Sequence, residues 1–385
     1  MNRRKFLTSA GVFSILVTGG TVWRAFDQGV FSTGEGPAYE QWKNWHKTSS
    51  DGLIGLIQSA ILAASPHNTQ PWLFQIEGME IRLYVDTDRN IGAIDPYLRE
   101  MYAGIGCALE NLVIAAKANG YQYLLEYFPD PSDKKYTVKI SLKKDYPYES
   151  VLYNAIPYRH TNRGPHDLGK IIKENSLNEF TMLGKNITDT KLIWLTTDND
   201  KNRFLDLNTQ ATRALIDDEE QSKSSFSWLR ESWQEIQRQK DGVTMDTTGS
   251  SATLRAVAKI IPSVSRETGD QYFLEAMENL TTNTDRVGII MVRDLHNNSH
   301  RLQGGRYWQR LHLWGTTQGM AMQPVSQICE RIDREQQLKQ PPHFLIELQK
   351  ITQDTQWQAL IPFRVGYPLM TAFASPRRET KSVII

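Results

Sequence analysis

The stretch Ser65-Pro-His-Asn-Thr-Gln-Pro-Trp-Leu-Phe74 decides how the chain is folded. It follows an apolar run at 53–64 whose hydrophobic residues recur at the spacing of one helix face, with Asp51 as the helix start. Pro66 disfavours continuation of that helix. Beyond the stretch, apolar and polar residues alternate over 80–85, which predicts a strand. The stretch is therefore predicted to be a polar turn between a buried helix and a strand.

The polar residues of this turn allow two interpretations. Because Ser, Asn and Thr routinely bond their own backbone, the turn can be purely structural. Alternatively, the segment carrying Ser65, Pro66, His67, Asn68 and Gln70 presents donors and acceptors to a polar, planar ligand. A hydrolase built on Ser65 and His67 is disfavoured, because these residues are not set in a Gly-x-Ser-x-Gly elbow.

The composition is that of an ordinary globular protein. The 385 residues are 40% hydrophobic and 23% charged, and the formal net charge is +1, so nothing favours nucleic acid as a partner. Cys107 and Cys329 fit neither a Cys-x-x-Cys nor a zinc spacing, and both fall in predicted helices, which predicts buried free thiols. No metal site is predicted, because His296 and His300 lack the carboxylate of the metalloprotease pattern.

Residues 1–30 have the architecture of an export signal. Met1-Asn-Arg-Arg-Lys-Phe-Leu7 places three positive charges before an apolar run at 12–23. The arginine pair is similar to the twin-arginine signal, an address read by an export receptor. The alternative is a charged tail followed by a buried helix. The signal interpretation predicts the twin-arginine export machinery as a partner. It also predicts a periplasmic location, or a tether to the outer face of the cytoplasmic membrane.

Two apolar helices share one spacing pattern. Starting from Gly106 and from Gly305, apolar residues follow at +3, +6 and +8 and a glycine at +14. Coincidence between two apolar helices is one explanation. A duplication is the other, and it predicts two similar halves, 40–150 and 151–385, each with a central helix; units of this length are too long for a solenoid.

Several further elements are predicted from local patterns. Asp95 is predicted to cap a helix that has Pro96 in its first turn, and 104–120 is predicted to be a buried helix, the first central one. The apolar end Val383-Ile-Ile385 is predicted to pair with a sheet edge. The region 202–284 contains a predicted amphipathic helix over 226–236 and is interpreted either as a lid or as a surface helical hairpin. Alternating or apolar runs predict strands at 138–142, 191–196, 287–292 and 359–367.

Two arginine segments follow in the second half. Arg159-His160-Thr161-Asn162-Arg163 has two arginines four residues apart, which can flank one anion or simply end a solvated helix. Arg377-Arg378 is either a second anion contact or a basic tail. From its own residues, Gly319-Met320 is interpreted as a plain helix C-terminus that closes the second central helix.

Taken together, these motifs resemble those of the nitroreductase family. Asn68-x-Gln70-Pro-Trp-x-Phe74 is similar to the turn that contacts the flavin in that family. Arg159-His-Thr-Asn-Arg163 is similar to its Arg-x-Ser-x-Arg phosphate segment, with Thr161 in place of Ser. Arg377-Arg378 matches its C-terminal basic pair. The chain most resembles the two-halved, Acg-like branch of that superfamily.

The resemblance implies an α+β, nitroreductase-like fold whose halves form an intrachain pseudo-dimer, with a helical lid at about 202–284. It implies one FMN and two-electron reduction of a small organic acceptor, such as a nitro compound or quinone, with NAD(P)H or another donor. The flavin carries the chemistry, so no catalytic side chain is predicted. The alternative is a protein that sequesters flavin without NAD(P)H-dependent turnover. The implied cofactor-binding residues are Ser65, Pro66, His67, Asn68, Gln70, Arg159, His160, Thr161, Arg163, Gly319, Met320, Arg377 and Arg378.

Overall fold

The computed structural model describes residues 19–45, 52–261 and 263–385. Residues 1–18 of the predicted signal and the predicted helix start at Asp51 lie outside these ranges. Within them the protein has the predicted α+β class, with antiparallel sheets and many helices. None of the helices in these ranges has the length and apolar character needed to cross a membrane.

The elements are numbered here in chain order. The helices are α1 (Gly19–Asp27), α2 (Glu40–Asn44), α3 (Leu53–Ala60), α4 (Arg99–Ala118), α5 (Val151–Ala155), α6 (Glu174–Met182), α7 (Asp198–Asp217), α8 (Glu219–Phe226), α9 (Trp233–Gln239), α10 (Ala252–Ile260), α11 (Arg266–Glu278), α12 (Leu280–Asn283), α13 (Asn298–Thr317), α14 (Gln327–Gln337) and α15 (His343–Thr352). The strands are β1 (Trp72–Glu77), β2 (Glu80–Val85), β3 (Tyr121–Tyr127), β4 (Tyr136–Lys144), β5 (Thr190–Leu195), β6 (Leu229–Arg230), β7 (Val243–Thr244), β8 (Arg286–Val292), β9 (Ala321–Pro324) and β10 (Gln358–Gly366).

The two four-stranded sheets have the same topology. Their strand orders are β1-β2-β4-β3 and β5-β8-β10-β9, and all neighbouring strands are antiparallel. Counted within its own sheet, each order is 1-2-4-3. In each case a long helix, α4 or α13, lies between the second and third strands of the sheet in sequence. The predicted strands at 80–85, 138–142, 191–196, 287–292 and 359–367 are all confirmed within a few residues.

The two sheets differ in how their faces are covered. In β2, buried residues alternate with partly exposed ones, as expected for a strand with one face on the core. In β8 every residue after Arg286 is buried. The second face of β8 is covered because Phe204 of α7, Ile328 of α14 and Leu348 of α15 pack in one core cluster with Ile289. This explains why β8 has a continuous apolar sequence.

The long helices α4 and α13 pack against each other through two glycines. A Cβ atom on Gly106 would lie 2.1 Å from the carbonyl oxygen of Leu302, and one on Gly305 would lie 1.9 Å from that of Ala103. Only glycine permits so close an approach of two backbones. The contact is reciprocal, since each glycine meets the residue three positions before the other. Each member of the repeated sequence pattern therefore supplies its first glycine to this crossing.

The two cysteines have the predicted state. Cys107 and Cys329 are buried free thiols. Burial raises the pKa of each to about 12, so both stay protonated at neutral pH. The Cys107 thiol donates to the Gly305 carbonyl at 3.3 Å, within the helix crossing.

Two local predictions are wrong, and one strand was not predicted. The segment predicted as one helix over 226–236 is α8, the short strand β6 and α9, because Ser232 caps a new helix start by accepting from the amide of Glu235. The first central helix begins at Arg99, with Leu98 in place of Asp95 at the cap position, and it extends five residues before the predicted start at Gly104; the Asp95 carboxylate nevertheless accepts from the Met101 amide at 2.9 Å. The segment after Met320 is strand β9, because it finds β10 as a pairing partner.

The C-terminal residues pair with the first sheet, as predicted. The Phe74 amide donates to the Val383 carbonyl at 2.7 Å, and the Ile385 amide donates to the Phe74 carbonyl at 2.8 Å. The chain therefore returns from β10 of the second sheet to β1 of the first. This return carries Arg377 and Arg378 to the turn that precedes β1.

Candidate functional site

A cavity of about 400 Å³ lies where the turn before β1 meets segments from the second half of the chain. Its volume is in the range of cofactor and small-molecule sites. Its polar lining residues include Ser65, His67, Asn68, Arg159, Arg163 and Arg377, and an apolar wall is formed by Leu215, Phe226, Leu229, Phe273 and Met277. Trp308 also lines the cavity; its ring lies 5.0 Å from that of His312, which is itself 3.3 Å from Arg159.

The turn before β1 has an unusual backbone. His67, Asn68 and Gln70 have φ angles of 45°, 56° and 53°. Left-handed backbone is uncommon for residues other than glycine and is energetically unfavourable for each residue that adopts it. The Ser65 hydroxyl accepts from the Gln70 amide at 3.0 Å and closes the turn. Such strain is found where surrounding contacts hold a functional site in one geometry.

Contacts from distant parts of the chain hold this turn. The Asn68 side-chain amide donates to the carbonyls of Gly242, at 3.2 Å, and Pro376, at 3.0 Å. The Gln70 side-chain amide donates to the Lys240 carbonyl at 2.8 Å. Both side chains are therefore used to fix the backbone. They are not free to bind a ligand with these amide groups.

Arg159, Arg163 and Arg377 line the polar side without acidic partners. Arg159 donates to the Leu62 carbonyl at 3.2 Å, and Arg163 donates to the Thr247 carbonyl at 2.9 Å. Arg377 donates to the Ala63 carbonyl at 3.2 Å and also to the side chain of Asn68. Among the described residues, none of the three guanidinium groups has a carboxylate within ion-pair distance. The Nε atoms of Arg159 and Arg377 are buried and lack any hydrogen-bond partner in the described part of the chain.

Burial of these unpaired cations lowers their proton affinity. It lowers the pKa of Arg159 and of Arg163 to about 10. Burial, and then the charge of Arg159, lowers the pKa of Arg377 well below its usual range. Burying a charge raises the free energy of the folded protein unless an opposite charge lies beside it. The arrangement is therefore suited to an anion with several oxygen atoms, such as a phosphate group.

The histidines near these arginines are neutral. Burial, and then the charge of Arg163, lowers the pKa of His67 to about 4. Burial, together with the charges of Arg159 and Arg377, lowers the pKa of His160 to about 3. The His67 Nε2 atom shares a hydrogen bond with the Ser225 hydroxyl at 3.1 Å. His67 therefore contributes a neutral imidazole to the cavity wall.

Trp42 supports the arginines from the lead-in helix α2. The Arg377 guanidinium lies 4.7 Å from the Trp42 ring centroid, and the His160 ring meets Trp42 edge-on at 4.6 Å. The Trp42 indole donates to the Ser375 carbonyl at 2.7 Å. The sequence interpretation missed this role. The available signal was the aromatic lead-in that also contains Trp45, and it indicated packing only.

Some predicted site residues lie away from the cavity. Ser65, Pro66, His67, Asn68, Arg159, Thr161, Arg163 and Arg377 line it, whereas Gln70, His160, Gly319, Met320 and Arg378 do not. Gln70 and Arg378 bond each other behind the turn, because the Arg378 amide donates to Gln70 Oε1 at 2.8 Å. Gly319 and Met320 precede β9, and the lining residues come from the end of that strand, Gln323 and Pro324. The cavity therefore meets this segment a few residues beyond the predicted positions.

Comparisons with known proteins give partial matches. No family model matches the chain. A Mycobacterium tuberculosis H37Rv protein named as a candidate NAD(P)H nitroreductase is 32% identical over 132 residues, which are 34% of this chain and 38% of that protein. A second candidate NAD(P)H nitroreductase of that strain, acg, is 32% identical over 120 residues, which are 30% of this chain and 36% of that protein. The matched segments thus span 38% or less of these relatives.

Two solved structures are also similar to part of the chain. A nitroreductase with bound FMN from Bacteroides fragilis covers 60% of this chain and 95% of its own, with 12% identity and a TM-score of 0.35. An FMN-dependent nitroreductase from Mycobacterium smegmatis, in complex with NADPH, covers 60% of this chain and 96% of its own. Its identity to this chain is 14% and its TM-score is 0.36.

Proposed function

We propose that this protein binds FMN in the cavity and acts as an oxidoreductase of the nitroreductase type. The observation that carries the proposal is the set of three arginines, Arg159, Arg163 and Arg377, which line the cavity and have no carboxylate within ion-pair distance among the described residues. A phosphate group would neutralise them and would supply acceptors for the unpartnered Nε atoms. The names of the curated relatives agree with this assignment.

The remaining lining residues fit the rest of such a cofactor. The strained turn at Ser65–Asn68 offers the Ser65 hydroxyl, the neutral His67 ring and backbone groups to the polar edge of a flavin ring. Trp308 and Phe273 offer apolar surface to the ring itself. When bound, the flavin supplies hydride transfer, and the protein orients it and sets its electrostatic surroundings.

We further propose that the two halves imitate a nitroreductase dimer. The shared strand order and the reciprocal packing of Gly106 and Gly305 support this proposal. The turn comes from the first half and the arginines come from the second, so the single FMN would lie between halves. Within the predicted insertion 202–284, α7 packs in the core of the second half. The lid proposal therefore concerns the part after α7, from which Phe226, Leu229 and Phe273 reach the cavity.

Donor, acceptor and location are further proposals. NAD(P)H is the proposed electron donor, because the curated relatives bear NAD(P)H nitroreductase names. A small organic molecule, a nitro compound or a quinone, is the proposed acceptor. The Arg3-Arg4 motif supports export by the twin-arginine machinery to the periplasm or to the outer face of the cytoplasmic membrane.

A flavin-sequestering protein is the second candidate, and the covering segment favours it. Asp241 forms ion pairs with Arg89 of the first half and with Arg230, the latter at 2.9 Å. Together with the bonds from Asn68 and Gln70, these contacts fasten residues 240–242 over the turn. A segment fixed in this way would hinder a nicotinamide from reaching the flavin face.

One purification and one reduction test these proposals. The protein should be isolated yellow, or should take up one FMN per chain; a colourless protein that binds no FMN would refute both candidates. Anaerobic NADPH should then bleach the flavin absorbance, with dithionite as the control for reducibility. Bleaching by dithionite but by neither NADPH nor NADH would refute the NAD(P)H donor and favour sequestration.

A further inference from the structure

The cavity has two chemically different ends. The arginine end lies near Cys107 of α4, whose thiol is electrostatically coupled to Arg159. Glu100 also lines the cavity, seven residues earlier on α4. Because a helix rises 1.5 Å per residue, seven residues separate the two positions by about 10 Å. Glu330 of α14 lines the cavity as Glu100 does, and the charge of Glu100 acts on Glu330.

The carboxyl end belongs to a cluster in which acids outnumber bases. The Arg99 guanidinium meets Asp333 at 2.7 Å and Glu100 at 3.2 Å. The charge of Arg301 acts on Asp95 and Asp333. The cluster contains the carboxyl groups of Asp95, Glu100, Glu330 and Asp333 and the guanidinium groups of Arg99 and Arg301. Two carboxyl groups are therefore left without a cation.

Carboxyl groups in excess of cations keep their protons when buried. Glu330 is only 4% exposed. Burial raises its pKa well above the ordinary range, the charge of Glu100 raises it further, and Arg99 opposes both effects. Burial also raises the pKa of Asp95 to about 7, and the Asp95 Oδ1 atom has no hydrogen-bond partner among the described residues.

The other charged groups around α14 are engaged elsewhere. Arg331 and Arg334 pair with Asp218 at 3.3 Å and 2.8 Å. Glu335 accepts from the Phe344 amide at 3.2 Å. Asp270, which lines the cavity from α11, accepts from the Ser222 hydroxyl at 2.6 Å. None of these pairings supplies a cation to Glu330.

We propose that Glu330, positioned by Glu100, is the proton donor to a quinone-type acceptor bound between the carboxyl end and the apolar wall. This proposal rests on the proposed function. In the reduction, the quinone gains a hydride from the reduced cofactor. It also gains a proton from Glu330, whose O–H bond breaks as the new O–H bond of the hydroquinone forms. Glu330 regains its proton from solvent through Glu100, whose side chain is 13% exposed.

The first test needs neither flavin nor turnover. Infrared spectra of the wild type and of Glu330→Gln are compared at pH 7. The difference should contain the C=O stretching band of a protonated carboxylic acid; a difference that contains only carboxylate bands would overturn the proposal. In Glu100→Gln this band should titrate at lower pH, because the repelling charge beside Glu330 is gone. A band whose titration does not move would refute the role of Glu100.

The second test separates proton transfer from electron transfer. Pre-reduced, FMN-loaded protein is mixed with a benzoquinone or with ferricyanide, which takes up electrons without a proton. Glu330→Gln should slow quinone reduction by about 100- to 10,000-fold, the usual contribution of a general acid, and leave ferricyanide reduction unchanged. Glu335→Gln is the matched control, since it makes the same change in the same helix at a buried residue that does not line the cavity.

The outcomes are distinguishable. Equal slowing with both acceptors would overturn the proton-donor role and would indicate a structural effect. If the protein binds no FMN, the proposed function fails, and the infrared experiment still decides whether Glu330 holds a proton. A protonated Glu330 with unchanged quinone reduction in Glu330→Gln would also overturn the proposal.

Discussion

Replacing Arg159 by methionine should separate ligand binding from protein stability. Arg159 lines the cavity and is only 2% exposed. Methionine replaces its long aliphatic chain with an unbranched apolar side chain and removes the buried charge. Burial lowers the pKa of Arg159 from its ordinary value, more than two units higher, to about 10. At about 1.4 kcal/mol per pKa unit, the buried charge costs the ligand-free protein about 3 kcal/mol.

The substitution also removes stabilising contacts. Arg159 bonds the Leu62 carbonyl at 3.2 Å and His312 Nδ1 at 3.3 Å. Because the guanidinium is charged and both bonds are long, each contributes about 1.5 kcal/mol, so about 3 kcal/mol is lost. The unfolding free energy of ligand-free Arg159→Met should therefore stay within about 1 kcal/mol of the wild type. An ordinary large buried side chain that is truncated costs about 2–5 kcal/mol.

Binding should respond differently. A hydrogen bond to a charged group contributes about 1.5–3 kcal/mol, so Arg159→Met should weaken FMN binding by about 10- to 150-fold. Riboflavin lacks the phosphate, and its affinity should hardly change. The assay is flavin fluorescence quenching with both ligands, combined with urea unfolding of the ligand-free protein.

The control is Arg364→Met. Arg364 is fully buried, bonds Gln323 Oε1 at 2.8 Å and does not line the cavity. This variant should leave the ratio of FMN to riboflavin affinity as it is in the wild type. If Arg159→Met weakens FMN and riboflavin equally, or destabilises the ligand-free protein by several kcal/mol, the phosphate assignment is refuted.

Three further predictions concern the surroundings of the site. Trp42→Leu removes the aromatic ring beside Arg377 and should weaken FMN binding by about 1 kcal/mol, or roughly fivefold in a quenching titration; unchanged affinity would contradict the cation–π support. His160 is neutral in the folded protein, because burial lowers its pKa to about 3 from an ordinary value of 6.5. The stability that it provides above pH 6.5 is therefore lost as the pH falls toward 3. His160→Asn should make the unfolding free energy, measured in urea, less dependent on pH over that window; a pH dependence equal to that of the wild type would contradict this. Gly305→Ala places a Cβ atom against the Ala103 carbonyl and should lower the unfolding free energy by about 3 kcal/mol, whereas wild-type stability would show that the crossing can relax.

Much of the fold could be predicted from the sequence, because its long elements have strong local patterns. The helix around Gly106 and the strand at 287–292 are long, apolar or strictly periodic, and tertiary contacts only trim their ends. The prediction of one helix over 226–236 is wrong because the apolar spacing suits a single helix, whereas Ser232 favours a new helix start. Strand β9 was not predicted, because its pairing with β10 is a long-range contact that no local pattern contains.

Residues of the candidate site could be predicted only where they belong to a short sequence motif. The turn at 65–70 and the arginines at 159 and 163 have recognisable spacing, and the structure brings these residues to one cavity. Glu100 and Glu330 are separated by 230 positions, and nothing in either local sequence distinguishes them from surface carboxylates on amphipathic helices. Trp42 meets Arg377 only because the chain returns to β1 at its end. Contacts between residues so far apart in sequence depend on the topology of the whole chain, and a local sequence pattern does not reveal them.

The strained turn and the unpaired arginines share one property: each raises the free energy of the folded protein, and the rest of the fold offsets it. Three non-glycine residues in left-handed backbone cost about 1 kcal/mol or more each, and the buried arginines add a further electrostatic cost. The fold sustains both, because Gly242, Lys240 and Pro376 hold the turn from outside through Asn68 and Gln70. These costs are met before any ligand arrives, so an anionic cofactor would find its donors already positioned. The same contacts show that the most conspicuous residues of the motif, Asn68 and Gln70, use their side-chain amides to shape the backbone of the turn that borders the cavity.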